Sequence, residues 1–313
     1  MQRRAEGVAG DLKPEWAARP ERSHPWLMRL AVRAAFLLGR RPSRVVLVFV
    51  CLWFLLFSPS DRSASRLYLR KALGREPRLG DLWRHFHAFG AVILDRMYLL
   101  AGQFGRFDVR VHGEEIVAAL RDAHSGGLLL GAHLGSFEIV RFLGREKCEM
   151  PVRLVMYKEH ARNLNSVLDA VDPSSAMPVI PLGTVDSMLQ VAEALGQGEF
   201  VGILADRNIE GEGTAPCTFF GAPAPLPLGP FRLAAMLRQP LVLMVGLYRG
   251  GNRYDIHFER LDDPSADSGQ GLRKAGRGRD EVVRQAMQKY AARLEHYCRI
   301  APYNWFNFYD YWS

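Results

Sequence analysis

The chain has 313 residues, of which 48% are hydrophobic and 24% are charged. This balance excludes an intrinsically disordered chain and is enough for a full hydrophobic core. Lys and Arg number 41 against 33 Asp and Glu, and the net charge of +8 favours an acidic partner such as nucleic acid, anionic lipid or an acidic carrier. The four cysteines lie far apart and the nine histidines lack metal-ligand spacing, so the sequence predicts reduced thiols, no metal and no cofactor.

The first part of the chain predicts a leader followed by a membrane-associated segment. Residues 1–24 are polar and contain prolines, so we expect a disordered leader. The apolar run from Val45 to Phe57 is shorter than the roughly 20 residues that a membrane-spanning helix needs. Basic residues flank the run on both sides, which disfavours a simple span and favours a segment lying in the lipid interface. We therefore assign residues 25–75 to a membrane-associated helical segment, with a buried helix of a soluble protein as the alternative.

From residue 76 to residue 313 the sequence alternates between helix-like and strand-like segments. Strands are predicted within residues 126–133, 151–158, 177–183, 199–206 and 240–261, and helices within 82–102, 136–144, 184–198, 230–239 and 281–302. The last strand segment predicts two strands that turn at Gly250, Gly251 and Asn252. Strands separated by helices imply an α/β domain with a mostly parallel central sheet flanked by helices. The Gly- and Pro-rich stretch 207–229 predicts a functional loop.

A histidine and a carboxylate stand where one predicted strand gives way to a helix. His133 ends the apolar run "GGLLLGAH", and Glu138 falls in the first turn of the helix that follows. Ligands of parallel sheets bind beyond the carboxyl ends of the strands, so both side chains are expected to face that crevice. A carboxylate on one imidazole nitrogen leaves the other nitrogen to act as a base toward a hydroxyl. The spacing also fits a histidine that caps the helix and a surface glutamate.

Other classes of function lack their sequence motifs. Ser136 follows His133 by three residues, but Glu138 breaks the Gly-x-Ser-x-Gly pattern of a hydrolase nucleophile. The glycine clusters match neither the Walker A loop nor Gly-x-Gly-x-x-Gly after a strand, which argues against nucleotide binding. No aromatic RNA-binding motif occurs, so we expect no nucleic-acid partner.

Two blocks of the sequence carry a resemblance to a known family. The first is "HLGSFE", residues 133–138, and the second is "LADRNIEGEGTAPCTFFGAPAPLPLGPFRLA", residues 204–234. In type, order and distance they resemble the His-x4-Glu block and a later block of the lysophospholipid acyltransferase superfamily, in its bacterial lauroyl/myristoyl (lipid A late) acyltransferase-like branch. The resemblance covers roughly residues 25 to 312, and it implies an O-acyltransferase on the cytoplasmic face of the bacterial inner membrane.

The family implies a reaction and a set of site residues. A fatty acyl chain passes from an acyl-ACP or acyl-CoA thioester to a hydroxyl of a lipid-like acceptor, with His133 as general base and Glu138 as the residue that orients it. Backbone N–H groups at the start of the following helix are expected to hold the developing oxyanion. The expected substrate-binding residues are Gly135, Ser136, Lys158, Asp206 and Arg207. Read without the resemblance, Asp206 also fits a turn or cap residue at a strand end.

The sequence departs from that branch in two places. Lys158, with Arg162 nearby, stands where the branch has an arginine, and Trp305 is followed by Asn and aromatic residues where the branch has basic ones. Sugar phosphates need a basic surface, so a diphosphorylated lipid A acceptor is in doubt, and a lysophospholipid-type or pigment/polyene-lipid precursor is a candidate. The aromatic tail is expected to pack in the core, with a groove lining as the alternative. A catalytically inactive homologue that binds a lipid or acyl chain is a second interpretation.

Overall fold

The structure is a computed structural model, and it describes residues 33–139, 151–157, 179–182, 185–207, 213–261 and 278–312. The helices are α1 (Arg40–Phe57), α2 (Pro59–Leu73), α3 (Leu79–Leu100), α4 (Glu114–Asp122), α5 (Val185–Gly196), α6 (Gly229–Leu237) and α7 (Arg279–Ile300). The strands are β1 (Asp108–His112), β2 (Gly127–Gly131), β3 (Val152–Tyr157), β4 (Val179–Leu182), β5 (Phe200–Leu204), β6 (Thr214–Phe219), β7 (Ala222–Pro227), β8 (Leu241–Tyr248) and β9 (Arg253–Arg260).

Seven strands form one sheet in the order β1-β9-β8-β2-β5-β3-β4. Neighbouring strands run parallel except β8 and β9, which form an antiparallel pair joined by the predicted turn after Arg249. Every residue of β2 and β8 is buried, as strands covered on both faces by helices require. The predicted α/β class with a mostly parallel central sheet flanked by helices is confirmed.

The two faces of the sheet carry two separate hydrophobic clusters. Leu128 and Leu130 of β2 belong to one cluster, together with Met287 and Leu294 of α7. Leu129, between them, belongs to the other cluster, to which α3 and α4 also contribute. Because successive side chains of a strand point to opposite faces, one apolar run supplies both layers. The predicted aromatic core is also present, since Trp305 is fully buried in the first cluster.

Residues 214–227 form an antiparallel hairpin, so the prediction of a loop is wrong for this stretch. Strand β6 pairs with β7, and the two-residue turn between them consists of Phe220 and Gly221, both with positive φ. Positive φ at both central positions is typical of the tight turns that connect hairpin strands. Four prolines lie in these two strands, and proline hides a strand pattern because it cannot donate to the ladder. Strand β1 and helix α4 are further elements that the sequence pattern does not predict.

Helix α1 contains the apolar run and leaves most of it uncovered. Its inner side packs on α3 at Gly90, where an added Cβ would lie 2.8 Å from Leu47 and 2.9 Å from Cys51. Ten large apolar side chains of α1 are exposed: Val45, Val46, Val48, Phe49, Val50, Leu52, Trp53, Phe54, Leu56 and Phe57. In the part of the chain that the structure describes, no single helix is long and apolar enough to cross a membrane, and only α1 and α2 taken together pass, as a pair bent by 93°.

A buried ion pair holds the start of α1 against the rest of the fold. The Arg40 guanidinium contacts both carboxylate oxygens of Asp95 on α3, with Nε and Nη2 each 2.8 Å from an oxygen. The Tyr254 hydroxyl donates to the same carboxylate at 2.9 Å. Asp95 is fully buried, so these donors replace the water that its charge has lost.

We predict that Asp95→Ala destabilises the protein strongly. The substitution leaves the guanidinium of Arg40 and the hydroxyl of Tyr254 without their buried acceptor, which costs about 3–5 kcal/mol and lowers Tm by roughly 10 °C. The matched control is Asp122→Ala, which breaks an exposed pair with Arg121 and should cost less than about 1 kcal/mol. The measurement is the Tm of both variants by thermal unfolding. Equal Tm values would contradict the role of Asp95 in stability.

Candidate functional site

Two neighbouring parallel strands bring His133 and Asp206 together. Each residue lies two positions after the end of its strand, His133 after β2 and Asp206 after β5. The last residues of the two strands, Gly131 and Leu204, are partners in the register. The side chains therefore meet beyond the carboxyl ends of the strands, where open α/β sheets bind their ligands.

The Asp206 carboxylate makes two contacts with His133. His133 Nδ1 lies 2.8 Å from Asp206 Oδ1, and the backbone N–H of His133 donates to Oδ2 at 3.0 Å. Asp206 is fully buried, whereas 27% of the His133 side chain is exposed. The imidazole is thus fixed on its inner side by a buried carboxylate and is open in part to solvent.

The C-terminal segment, residues 301–312, follows α7 and supplies further donors to Asp206. Trp305 Nε1 and Asn307 Nδ2 each donate to Oδ2 at 3.0 Å. Burial by itself raises the pKa of the Asp206 carboxyl, but the charge and hydrogen bonds of His133 and the charge of Arg207 outweigh it, and the pKa lies below its ordinary value. Asp206 is therefore a carboxylate at neutral pH.

Glu138, expected to orient the imidazole, has its described contacts elsewhere. Its Oε1 lies 2.8 Å from Nε of Arg96 on α3, and its Oε2 accepts from the Ser136 hydroxyl at 3.4 Å. The carboxylate that the structure places on Nδ1 of His133 is Asp206. The structure thus has at Nδ1 the carboxylate that β5 brings across the sheet, and the expected pairing of Glu138 with His133 remains a prediction.

The turn after His133 is held by backbone hydrogen bonds. The N–H of Gly135 donates to Asn304 at 2.8 Å, and the N–H of Ser136 donates to Gly246 at 2.7 Å. Gly135 has φ of +71°, and an added Cβ would lie 2.0 Å from the Gly246 oxygen, so only glycine fits. Ser136 is fully buried, and its expected substrate contact remains a prediction. These two N–H groups are engaged, so an oxyanion would need donors further along the chain.

Arg207 joins the site to the C-terminal segment, and Lys158 lies outside the described residues. The Arg207 guanidinium donates to Asn307 Oδ1 at 2.7 Å and to the Phe306 carbonyl at 3.1 Å, and it stands 5.9 Å from the centre of the Tyr309 ring. Burial lowers the pKa of Arg207, and Asp206 opposes that shift. The substrate contacts expected of Arg207 and Lys158 remain predictions.

His85, a buried histidine that the sequence does not single out, contacts the backbone of Trp305. His85 Nε2 lies 2.8 Å from the Trp305 carbonyl oxygen, and its Nδ1 lies 2.7 Å from the Ser65 hydroxyl. A carbonyl only accepts, so Nε2 carries the proton and Nδ1 accepts from Ser65. Burial lowers the pKa of His85 to about 4, so the imidazole is neutral at pH 7. Arg96, Asn307 and Ser65 are likewise missed, because their partners are far away in the sequence.

We predict that His85→Asn reduces the pH dependence of stability. The pKa of His85 is 6.5 in the unfolded chain and about 4 in the folded protein. The contribution of the neutral imidazole to the free energy of unfolding is therefore complete above pH 6.5 and is lost as pH falls toward 4. Between about pH 7.5 and about pH 5 the loss is about 2 kcal/mol. Tm should therefore fall less over this range in His85→Asn than in the wild type and in the exposed control His124→Asn. Equal falls in all three proteins would refute the prediction.

Comparison with protein families gives a match. The family model described as bacterial lipid A biosynthesis acyltransferase matches residues 92–313, which is more than half of the chain. The matched range contains His133, Glu138, Asp206 and Trp305, and it begins within α3. No curated protein matches the sequence.

Proposed function

We propose an activity for this chain from one premise: it belongs to the bacterial lipid A biosynthesis acyltransferase family. Membership supports transfer of an acyl group to a lipid-like acceptor. The finer proposal is an O-acyltransferase that takes a fatty acyl chain from an acyl-ACP or acyl-CoA thioester and adds it to a hydroxyl. The observation that carries it is the 2.8 Å contact between His133 Nδ1 and the buried carboxylate of Asp206, in the crevice of a parallel sheet.

The reaction uses the imidazole first as a base and then as an acid. Because Nδ1 faces an ionised carboxylate, Nδ1 holds a proton and Nε2 carries the lone pair. Nε2 takes the proton of the acceptor hydroxyl while its oxygen attacks the thioester carbonyl, which forms the C–O bond. Collapse of the tetrahedral intermediate breaks the C–S bond, and the leaving thiolate takes the proton from the imidazolium. Asp206 stabilises that imidazolium and holds its tautomer, and no acyl-enzyme is needed.

The carboxylates of Asp206 and Glu138 differ in burial and partners, so mutation can show which of them orients His133. We predict that His133→Ala abolishes transfer and that Asp206→Asn lowers kcat on the order of 10³-fold or more, because an amide does not hold the required tautomer. Glu138→Gln keeps an acceptor for Arg96 and should cost less than about tenfold. Turnover is measured with purified full-length protein, and Tm checks that each variant is folded.

The reverse order of effects would restore Glu138 as the orienting residue. Asp206→Glu tests the same position in a second way, because it keeps the negative charge and changes only the length of the side chain. Partial activity in this variant, together with near-complete loss in Asp206→Asn, would assign the effect to the carboxylate itself.

Two cations near the site, among the described residues, bear on the charge of the acceptor. Arg96 and Arg207 are bonded to Glu138 and Asn307, so part of their donor capacity is committed within the protein. A diphosphorylated head group needs several cationic donors. This supports an acceptor of lower charge, such as a lysophospholipid-type lipid, over lipid A itself.

The acceptor is identified by mass spectrometry of lipid extracts. Cells that carry the wild-type gene are compared with cells that carry His133→Ala, so that the protein itself is present in both. Loss of one acyl chain from a named lipid identifies the acceptor, and loss from lipid A would make the chain a true lipid A late acyltransferase. Identical extracts would favour the inactive lipid-binding homologue.

We also propose that α1 attaches the protein to the cytoplasmic face of the inner membrane. The support is its exposed apolar surface, which includes Phe49, Trp53 and Phe57, next to the basic residues of α2. A helix of this kind lies in the interface, with its apolar side in the lipid and its basic neighbours near anionic head groups.

We predict that Trp53→Glu combined with Phe57→Glu releases most of the protein from sedimented membranes, because charges replace the apolar contacts. The matched control is Leu189→Glu combined with Met236→Glu, which changes two other exposed apolar side chains on α5 and α6. The control should sediment like the wild type. Equal sedimentation of both double variants would contradict attachment through α1.

A further inference from the structure

We propose that His112, Asp255 and His257 bind a divalent transition-metal ion such as Zn²⁺, at a site separate from His133 and Asp206. His112 is the last residue of β1, and the other two residues lie on the neighbouring strand β9. The proposal is independent of the proposed acyl transfer.

The strand register brings the three side chains to one face of the sheet. His112 and His257 are direct partners in the parallel pair of β1 and β9, and Asp255 precedes His257 by two residues, so it shares its face. The two imidazole rings are stacked, with centroids 4.5 Å apart and planes at 9°. One ligand atom from each of the three residues lies within 4.8 Å of the others.

The ligand set suits a metal ion of intermediate hardness, such as Zn²⁺. Imidazole nitrogen and carboxylate oxygen are ligands that Zn²⁺ uses, and three protein ligands leave one position for water. Bonds of about 2.0–2.1 Å place tetrahedral ligand atoms about 3.4 Å apart. The ligand atoms therefore need to close by up to about 1.4 Å, and the two parallel rings need to turn so that both lone pairs point to one ion, which side-chain rotations on fixed strands can supply.

Two further observations point to an ion at this place. His257 Nε2 is buried and has no hydrogen-bond partner in the part of the chain that the structure describes. A buried nitrogen without a partner costs free energy, and coordination at this nitrogen would supply the partner. Arg249 Nε donates to Asp255 Oδ2 at 2.7 Å, which orients the carboxylate and leaves its other oxygen for the ion. His112 is exposed, so the ion can enter from solvent.

Coordination at this site would stabilise the pairing of the edge strand β1 with β9. Strand β1 is at the edge and pairs with β9 alone in the sheet order. An ion held by both strands binds the folded state and not the unfolded chain, so it raises stability in proportion to its occupancy. The spacing of histidines in the sequence does not reveal this site, because its ligands come from distant strands.

The test is a titration of full-length, tag-free protein with ZnCl₂ after treatment with a chelator. Calorimetry is expected to find one site per chain with a Kd of about 10 μM or tighter, and thermal unfolding is expected to give a higher Tm with Zn²⁺. His112→Asn should weaken the affinity at least about tenfold and remove the Tm shift. His257→Asn should do the same.

His124→Asn, which changes an exposed histidine outside the cluster, is the matched control and should bind like the wild type. The exposed His112 keeps the test decisive if His257→Asn does not fold. Absence of binding by the wild type up to about 100 μM Zn²⁺ would overturn the proposal. Unchanged affinity in His112→Asn, or equal weakening in His124→Asn, would overturn it as well.

Discussion

The buried negative charge of Asp206 is the constraint on which the site depends. A fully buried carboxylate is tolerated only when donors replace its lost water, and Asp206 receives them from His133, Trp305 and Asn307. These donors come from the end of β2 and from the C-terminal segment, while Asp206 itself follows β5. One charge therefore ties three distant parts of the chain together. The same requirement that stabilises the fold fixes the imidazole in one orientation.

Trp305 of the aromatic tail both packs in the core and contacts the site. Trp305 is fully buried and packs on Tyr68 and Phe219, with ring centroids 4.9 and 5.3 Å away, so it is a core residue. Its indole N–H also donates to Asp206, so this core residue holds the carboxylate that contacts His133. Tryptophan suits this place because it combines a large apolar surface with one donor. Substituting the tail would thus change stability and site geometry together.

The sequence predicts what depends on local patterns. The buried strand before His133 and the second strand that ends near Asp206 follow from apolar runs, and the structure has both. The carboxylate on Nδ1 could not be chosen in this way, because Glu138 is near in the sequence whereas Asp206 is brought by the pairing of β2 with β5. The hairpin of β6 and β7 is hidden by its prolines, and the pairing of His85 with Trp305 joins residues far apart in the chain.

Support for the site extends beyond the matched part of the chain. The family match begins at residue 92, but Ser65 on α2 and His85 on α3 precede it and reach Trp305 through one chain of hydrogen bonds. The predicted boundary between residues 75 and 76 is therefore crossed by the contact of Ser65 with His85. Because Trp305 in turn donates to Asp206, the position of α2 beside the apolar α1 bears on the orientation of His133. Helix α2, which follows α1, and the contact of His133 with Asp206 are thus connected through buried polar groups.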